Sequence, residues 1–221
     1  MTRRRLLAVA LAAAGIAAAT AGPALAEDAA TINAGLLAAA RAGDEAAVRG
    51  ALDQGAAPDS RNRIGDTALL TAAKRGLAGM ARTLVEHGAN VSQANVQGVT
   101  PLMAAAFGGY EEIVAMLLAR HAELAATDRV GKTAMVYAAG EGKAGVVRQL
   151  LDVGVDVNAR YGNDLTALMW AAGYDRSDVV QLLLSRGADK SLRDNRGKTA
   201  ADIAGEAGAQ RVAALLSGRP S

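Results

Sequence analysis

Apolar residues in this chain keep helical spacing in short bursts. Ile113, Val114, Leu117 and Leu118 recur at the i, i+4 and i+5 positions of one helix face, and Val146, Val147, Leu150 and Leu151 repeat the pattern. Between such segments run shorter stretches that are apolar but small: T-A-L-L-T-A-A at 67–73, T-P-L-M-A-A-A at 100–106 and T-A-L-M-W-A-A at 166–172. A threonine opens each one, placed to accept hydrogen bonds from free N–H groups at a helix start, and Pro101 suits the first helical position. A glycine of the Gly76 type ends each after about two turns, where the left-handed conformation closes a helix. A second helix follows, as at 111–120 or 178–186, and a further glycine (Gly55, Gly88, Gly154, Gly187) closes that one before an extended turn. The pattern predicts pairs of short helices joined by tight turns.

The pairs recur with a fixed period. Thr67, Thr100, Thr133, Thr166 and Thr199 are each 33 residues apart. Gly65, Gly98, Gly131 and Gly197 share the spacing, with Asp164 in the vacant register, as do Gly43, Gly76, Gly109, Gly142 and Gly208, with Asp175 as the exception. Ala39, Ala72, Ala105, Ala138, Ala171 and Ala204 follow it unbroken. Two helices this short cannot bury a core alone. Stacked units can, and alanine at the contact columns lets their backbones approach closely.

In these residues the chain resembles the ankyrin-repeat family. The shared pattern is G-x-T-P-L-x-x-A-A, a glycine, then V-x-x-L-L-x-x-G-A-D-V-N, as from Gly98 to Ala106 and from Val146 to Asn158. The resemblance spans about residues 30–217 and implies an all-α solenoid of about six helix–turn–helix units with β-turn tips. The units run about 29–61, 62–94, 95–127, 128–160, 161–193 and 194–217, within a domain of 29–217 and before a short tail at 218–221. The family's histidine after T-P-L is replaced by Leu70, Met103, Val136 and Met169, so apolar packing takes over its polar contacts. The first unit has Ala34 in place of the threonine and the last is truncated and Ala-rich, as capping units should be.

Residues 1–26 read as a cleaved signal peptide: T-R-R-R at 2–5, an apolar run from Leu6 to Ala21, and Ala24-Leu25-Ala26 before Glu27. Thr2 to Leu7 also resembles a twin-arginine export signal, though three arginines suit the general secretory route equally. The expectation is a periplasmic or secreted bacterial protein without a membrane span after cleavage. Removing Arg3, Arg4 and Arg5 takes the formal charge from +2 to −1, so the basic character of the full chain is no nucleic-acid signature.

Composition narrows the chemistry. The chain holds 54 alanines, six aromatic residues and no cysteine, which excludes disulfides, thiol nucleophiles and Cys-based metal sites. Its two histidines, His87 and His121, stand at the ends of successive second helices; a structural role is expected for both, with His121 in the column of a closing glycine and in left-handed geometry. No phosphate loop, G-x-S-x-G or H-E-x-x-H motif is present. Carboxylates such as Asp128, Asp156 and Asp194 recur singly at turn positions, where turn and cap hydrogen bonds explain them. A non-enzymatic protein without metal or cofactor is expected, acting as a monomer on no small-molecule substrate.

The family resemblance implies that turn tips and first-helix ends form a concave binding face. Over those columns lie eleven basic and three acidic residues, leaving an acidic back. Phe107 and Tyr174 share the face, with Tyr161 at its edge. Arg63, Lys74, Arg75, Phe107, Arg129, Lys132, Arg160 and Tyr174 are the candidate partner-binding residues. The expected partner is an acidic protein surface or peptide, steered by charge. Other readings are an inhibitor or immunity-like protein masking an enzyme or toxin, a binder of nucleic acid or anionic surfaces, and an ordinary solvated surface on which charge happens to segregate.

Overall fold

A computed structural model describes residues 23–217 of the chain. Within them, six helix pairs follow one another: α1 (Pro23–Ala42) with α2 (Glu45–Asp53), α3 (Ala68–Arg75) with α4 (Ala78–Glu86), α5 (Pro101–Gly108) with α6 (Glu111–Ala119), α7 (Ala134–Gly140) with α8 (Ala144–Asp152), α9 (Ala167–Gly173) with α10 (Ser177–Ser185), and α11 (Ala200–Glu206) with α12 (Gln210–Ser217). No helix of the described residues is long and apolar enough to cross a membrane. The export segment proper and the tail at 218–221 lie outside the described residues.

Each first helix from α3 onward starts as its threonine requires. The hydroxyls of Thr67, Thr100, Thr133, Thr166 and Thr199 accept from the N–H three residues on, at 3.1–3.4 Å. Leu70, Met103, Val136 and Met169, which replace the family histidine, are all buried between helices. The alanines beside them are buried too: Ala72, Ala105, Ala138 and Ala171 are fully enclosed. First helices therefore pack on one another more intimately than second helices do. The first unit departs from this plan, since α1 is one long helix with neither threonine cap nor tip.

The glycine columns answer two separate demands. Gly76, Gly109 and Gly142 adopt φ of +70°, +77° and +74°, and the residue that starts the next unit's second helix lies over each. Tyr110 covers Gly76, Lys143 covers Gly109 and Arg176 covers Gly142. The non-glycine residues in these columns accept the same backbone: His121, Asp164 and Asp175 have φ of +58°, +59° and +55°, the strained region that histidine and aspartate tolerate best.

Tips are organised by an Asn or Asp at a column of its own. One side-chain oxygen of Asn62, Asn95, Asp128 or Asp194 accepts from the N–H groups two and four residues on, at 2.8–3.0 Å. At Asp194 burial opposes ionisation, but the N–H of Lys198 and the Arg196 side chain outweigh it and hold the carboxyl below its ordinary value. Adjacent tips join by main-chain bonds, Val96 N–H to Ile64 O at 3.2 Å, Arg129 N–H to Gln97 O at 2.9 Å and Asn195 N–H to Asn163 O at 3.1 Å. Among the described residues no such bond links 128–132 to 161–165. The reason is Tyr161, which stands where the Asn or Asp should be. Without that acceptor the tip tightens into a 3-10 turn at Gly162–Asp164, with Asn163 at φ +61°. A groove of about 600 Å³ opens beside it, bordered by Leu124, Val155, Ala159 and Arg160.

Two glycines of the same column now differ in their surroundings. A Cβ on Gly65 would meet the Val96 backbone nitrogen at 2.9 Å, whereas one on Gly131 meets nothing within 4 Å. Both have positive φ, +78° and +77°. Gly131→Ala should therefore lose about 1 kcal/mol, the cost of a left-handed alanine, and Gly65→Ala about 1 kcal/mol more for the steric conflict. Urea denaturation of the two variants measures this; equal losses would contradict the tip-to-tip contact.

Candidate functional site

The inner surface is built by the tips and by the solvent-facing ends of the first helices. Its floor is more aromatic than composition suggests. Phe107 at the end of α5 and Tyr174 just after α9 are about half exposed, at 51% and 52%. Between them stand Tyr137 on α7 and Trp170 on α9. The Phe107 and Tyr137 rings meet edge to face at 5.9 Å, and those of Trp170 and Tyr174 stack nearly parallel at 6.1 Å. Lys132 closes the gap: its Nζ lies 5.4 Å from the Tyr137 ring centre and 4.9 Å from that of Trp170. Four of the six aromatic residues thus form one ribbon across three units, with an ammonium at its centre.

Tyr137 is held in place from its far end. Its hydroxyl donates to Asp128, the carboxylate whose other oxygen organises the tip. Burial, followed by the hydrogen bond and charge of Asp128, pushes the phenol up to about 12. Tyr161, by contrast, is turned into the protein rather than displayed at the face's edge. Its hydroxyl is buried; burial raises its pKa and nearby Thr133 opposes the rise, yet no hydrogen bond of acceptable geometry forms.

The basic residues divide sharply by what they touch. Lys74 lies 2.6 Å from Asp66, itself buried and bonded to Asn95 at 2.8 Å. Arg75 donates to the carbonyls of Ala40 and Arg41 at 3.2 and 2.6 Å, capping the end of α1. It is a strut between units as much as a surface charge. Arg160 donates to the carbonyl of Arg193 at 3.0 Å and lies 4.0 Å from Asp164. Arg196 pairs with Asp194 and Lys198 with Glu206. Arg63 and Arg129, together with Arg61, are exposed and have no side-chain partner among the described residues. Around them the tips are apolar: Ile64, Val96 and Val130 are exposed by 49%, 46% and 73%. On the back, Arg82 pairs with Glu112 and Arg186 with Asp152, both across units.

Of the candidates read from sequence, Phe107, Lys132 and Tyr174 come together in the ribbon. Arg63 and Arg129 stand apart from it on tips of different units. Lys74, Arg75 and Arg160 are engaged within the protein. The sequence reading missed Tyr137 and Trp170. A signal was present, since one column reads Thr71, Ala104, Tyr137, Trp170 and Ile203, two large aromatics in succession among smaller residues. The histidines are placed structurally: His87 Nδ1 lies 2.7 Å from the Thr83 carbonyl and Nε2 3.4 Å from Asp53, while His121 closes α6 in left-handed geometry.

A family model of ankyrin repeats (3 copies) matches residues 36–128 and 120–194. The chain belongs to the ankyrin-repeat family, whose repeats are generally protein-interaction modules and typically non-enzymatic binding scaffolds. No curated protein matches it.

The Tyr137–Asp128 contact predicts a titration. A tyrosine whose folded pKa is raised keeps its stabilising contact fully below the unfolded value of 10, and loses it as pH rises through about 12. In a phenolate absorbance titration Tyr137 and Tyr161 should both ionise above the ordinary value, Tyr137 at about 12, and Asp128→Asn should bring Tyr137 part of the way toward 10, leaving the share due to burial. A titration unchanged in Asp128→Asn would mean the carboxylate does not hold the phenol.

Proposed function

We propose that the inner face docks a protein partner through the aromatic ribbon, with Arg63 and Arg129 drawing acidic groups to the tips on either side. The observation that carries this reading is the ribbon itself. Half-exposed Phe107 and Tyr174 gain little for the fold by facing solvent, while large rigid aromatics beside cations are the usual energetic anchors of interfaces. Unpaired arginines on tips would speed encounter with an acidic surface more than they would tighten the final complex. The protein works outside the cytoplasm, after export on the segment ending at Ala26. Cleavage there takes Pro23–Ala26 from α1 and leaves the rest of that helix with the domain.

Two pairs of substitutions test the face. Phe107→Ala with Tyr174→Ala should weaken capture of the partner from a periplasmic extract at least about tenfold, an effect of about 1.4 kcal/mol or more. Arg63→Glu with Arg129→Glu should slow association and flatten its salt dependence. Arg75 is the wrong residue for charge reversal, because its loss also removes the strut to α1. Capture unchanged by either pair would refute the docking face, and salt-dependent retention on DNA or anionic vesicles without a protein partner would replace it by a surface-binding role. Mass spectrometry and N-terminal sequencing check export: the mature chain should begin at Glu27, and an intact Met1 on the extracytoplasmic protein would contradict cleavage.

A further inference from the structure

The inner face carries two largely apolar sockets in matching columns, separated by a cation. In the third unit Val99, Met103 and Phe107, at i, i+4 and i+8, line a depression of about 310 Å³ with Tyr137. Two units on, Leu165, Met169 and Gly173 occupy the same columns and line one of about 160 Å³ with Trp170, Tyr174 and Ile203; Lys74 borders the first and Arg196 the second, each already paired with an aspartate. In the unit between, the corresponding residue to Val99 and Leu165 is Lys132. One column thus reads apolar, cation, apolar across successive units. Lys132 Nζ rests between two aromatic rings and has no hydrogen bond or ion pair among the described residues. A cation on an apolar floor without a carboxylate of its own is an open valence for one from a partner.

We infer that the partner element seated here is an amphipathic α-helix with two apolar anchors about 14 residues apart and an aspartate or glutamate midway. The inference rests on the docking reading above and specifies what docks. First helices of neighbouring units pack directly, at about 8–10 Å between axes, so the sockets, two units apart, lie about 16–20 Å apart with Lys132 between them. A helix rises about 10.5 Å in seven residues and returns to nearly the same face. Positions i, i+7 and i+14 then meet socket, cation and socket in turn.

Other backbones fit less well. A β-strand covers about 19 Å in six residues, but its midway residue points to the opposite side, away from Lys132. A polyproline helix has the right repeat, at about 9.3 Å per turn, yet its main chain is bare and seeks donors along the groove. This floor offers few: the Tyr137 hydroxyl is committed to Asp128 and Trp170 Nε1 is buried beyond reach, which leaves the Lys132 ammonium, a single donor site, where a bare main chain needs a row of them. A helix satisfies its own main chain and asks only for side-chain contacts.

The test is selection from a displayed library of random peptides about 20–25 residues long, against the folded protein. Enriched sequences should carry apolar residues about 14 apart with Asp or Glu at the seventh step, and gain helical circular dichroism on binding, read alongside quenching or shift of Trp170 fluorescence. Lys132→Glu, checked for unchanged far-UV spectrum, should switch the midway preference to Lys or Arg. Lys132→Met, which keeps the stem without the charge, should erase that preference and retain the anchors. Enrichment of proline-rich sequences with three-residue spacing, enrichment indifferent to the midway residue, or no enrichment at all would each overturn the helix. Should Phe107→Ala with Tyr174→Ala still abolish capture of the native partner in any of these cases, the docking face stands and only the helical partner falls.

Discussion

Everything on the functional side depends on how closely the first helices approach one another. That approach is an alanine effect. At the contact columns a methyl group is all that separates neighbouring backbones, and Ala72, Ala105, Ala138 and Ala171 are completely enclosed by it. Second helices keep larger residues, Leu84, Leu117, Leu150 and Leu183, at their own buried positions. The two rows consequently differ in thickness, and a stack of wedges must bend toward its thin side. Larger side chains in the alanine columns would straighten the stack and separate Tyr137, Lys132 and Trp170, which meet only because adjacent units stand so near.

The tips obey a different constraint, the satisfaction of main-chain donors. A tight hairpin leaves two N–H groups pointing inward, and one Asn or Asp oxygen accepts both. Where Tyr161 takes that position the turn changes type and the ladder to the preceding tip is lost. The same substitution frees Gly131 from its neighbour and opens a groove of about 600 Å³. A single departure in one column therefore alters turn geometry, tip contact and surface shape together. In a repeat protein such local failures are confined, because each unit touches only its neighbours.

Much of this was legible from sequence because repetition converts weak signals into strong ones. One threonine before an apolar stretch is a modest hint of a helix cap; five at a common spacing are not. The same holds for the glycine columns, where the structure puts His121, Asp164 and Asp175 in the left-handed region that the register calls for. The site was less legible, for a physical reason. Position in a unit tells which side a residue occupies, but not what lies opposite it in the next unit. Arg75 sits in a surface column and also reaches the carbonyls ending α1, a contact between residues 34 apart. Lys74 is neutralised by an aspartate that looked like a separate surface charge. Tyr137 and Trp170 belong to a column outside those assigned to the inner face, yet their rings emerge beside Lys132.

The two kinds of legibility have one origin. Columns that hold a constant residue are committed to stacking, capping or turn geometry, so they can carry no information that distinguishes this stack from another of the same family. Only departures are free to do so. The ribbon is made of departures: aromatics where other units have Thr71, Ala104 and Ile203, and a lysine between Val99 and Leu165. Charge follows the same division. Basic groups next to constant elements are drawn into struts and pairs, as at Arg75, Lys74 and Arg196, whereas Arg63, Arg129 and Lys132 have no carboxylate or carbonyl partner among the described residues. A count of charges over the face therefore overstates its field, since Lys74, Arg196 and Lys198 each stand against a carboxylate. Held above aromatic rings, Lys132 is the one whose field is least screened by water, because low-polarity walls on two sides weaken the dielectric response around it. That places the strongest electrostatic demand of the surface at the centre of its apolar ribbon, where a partner must offer both shape and charge at once.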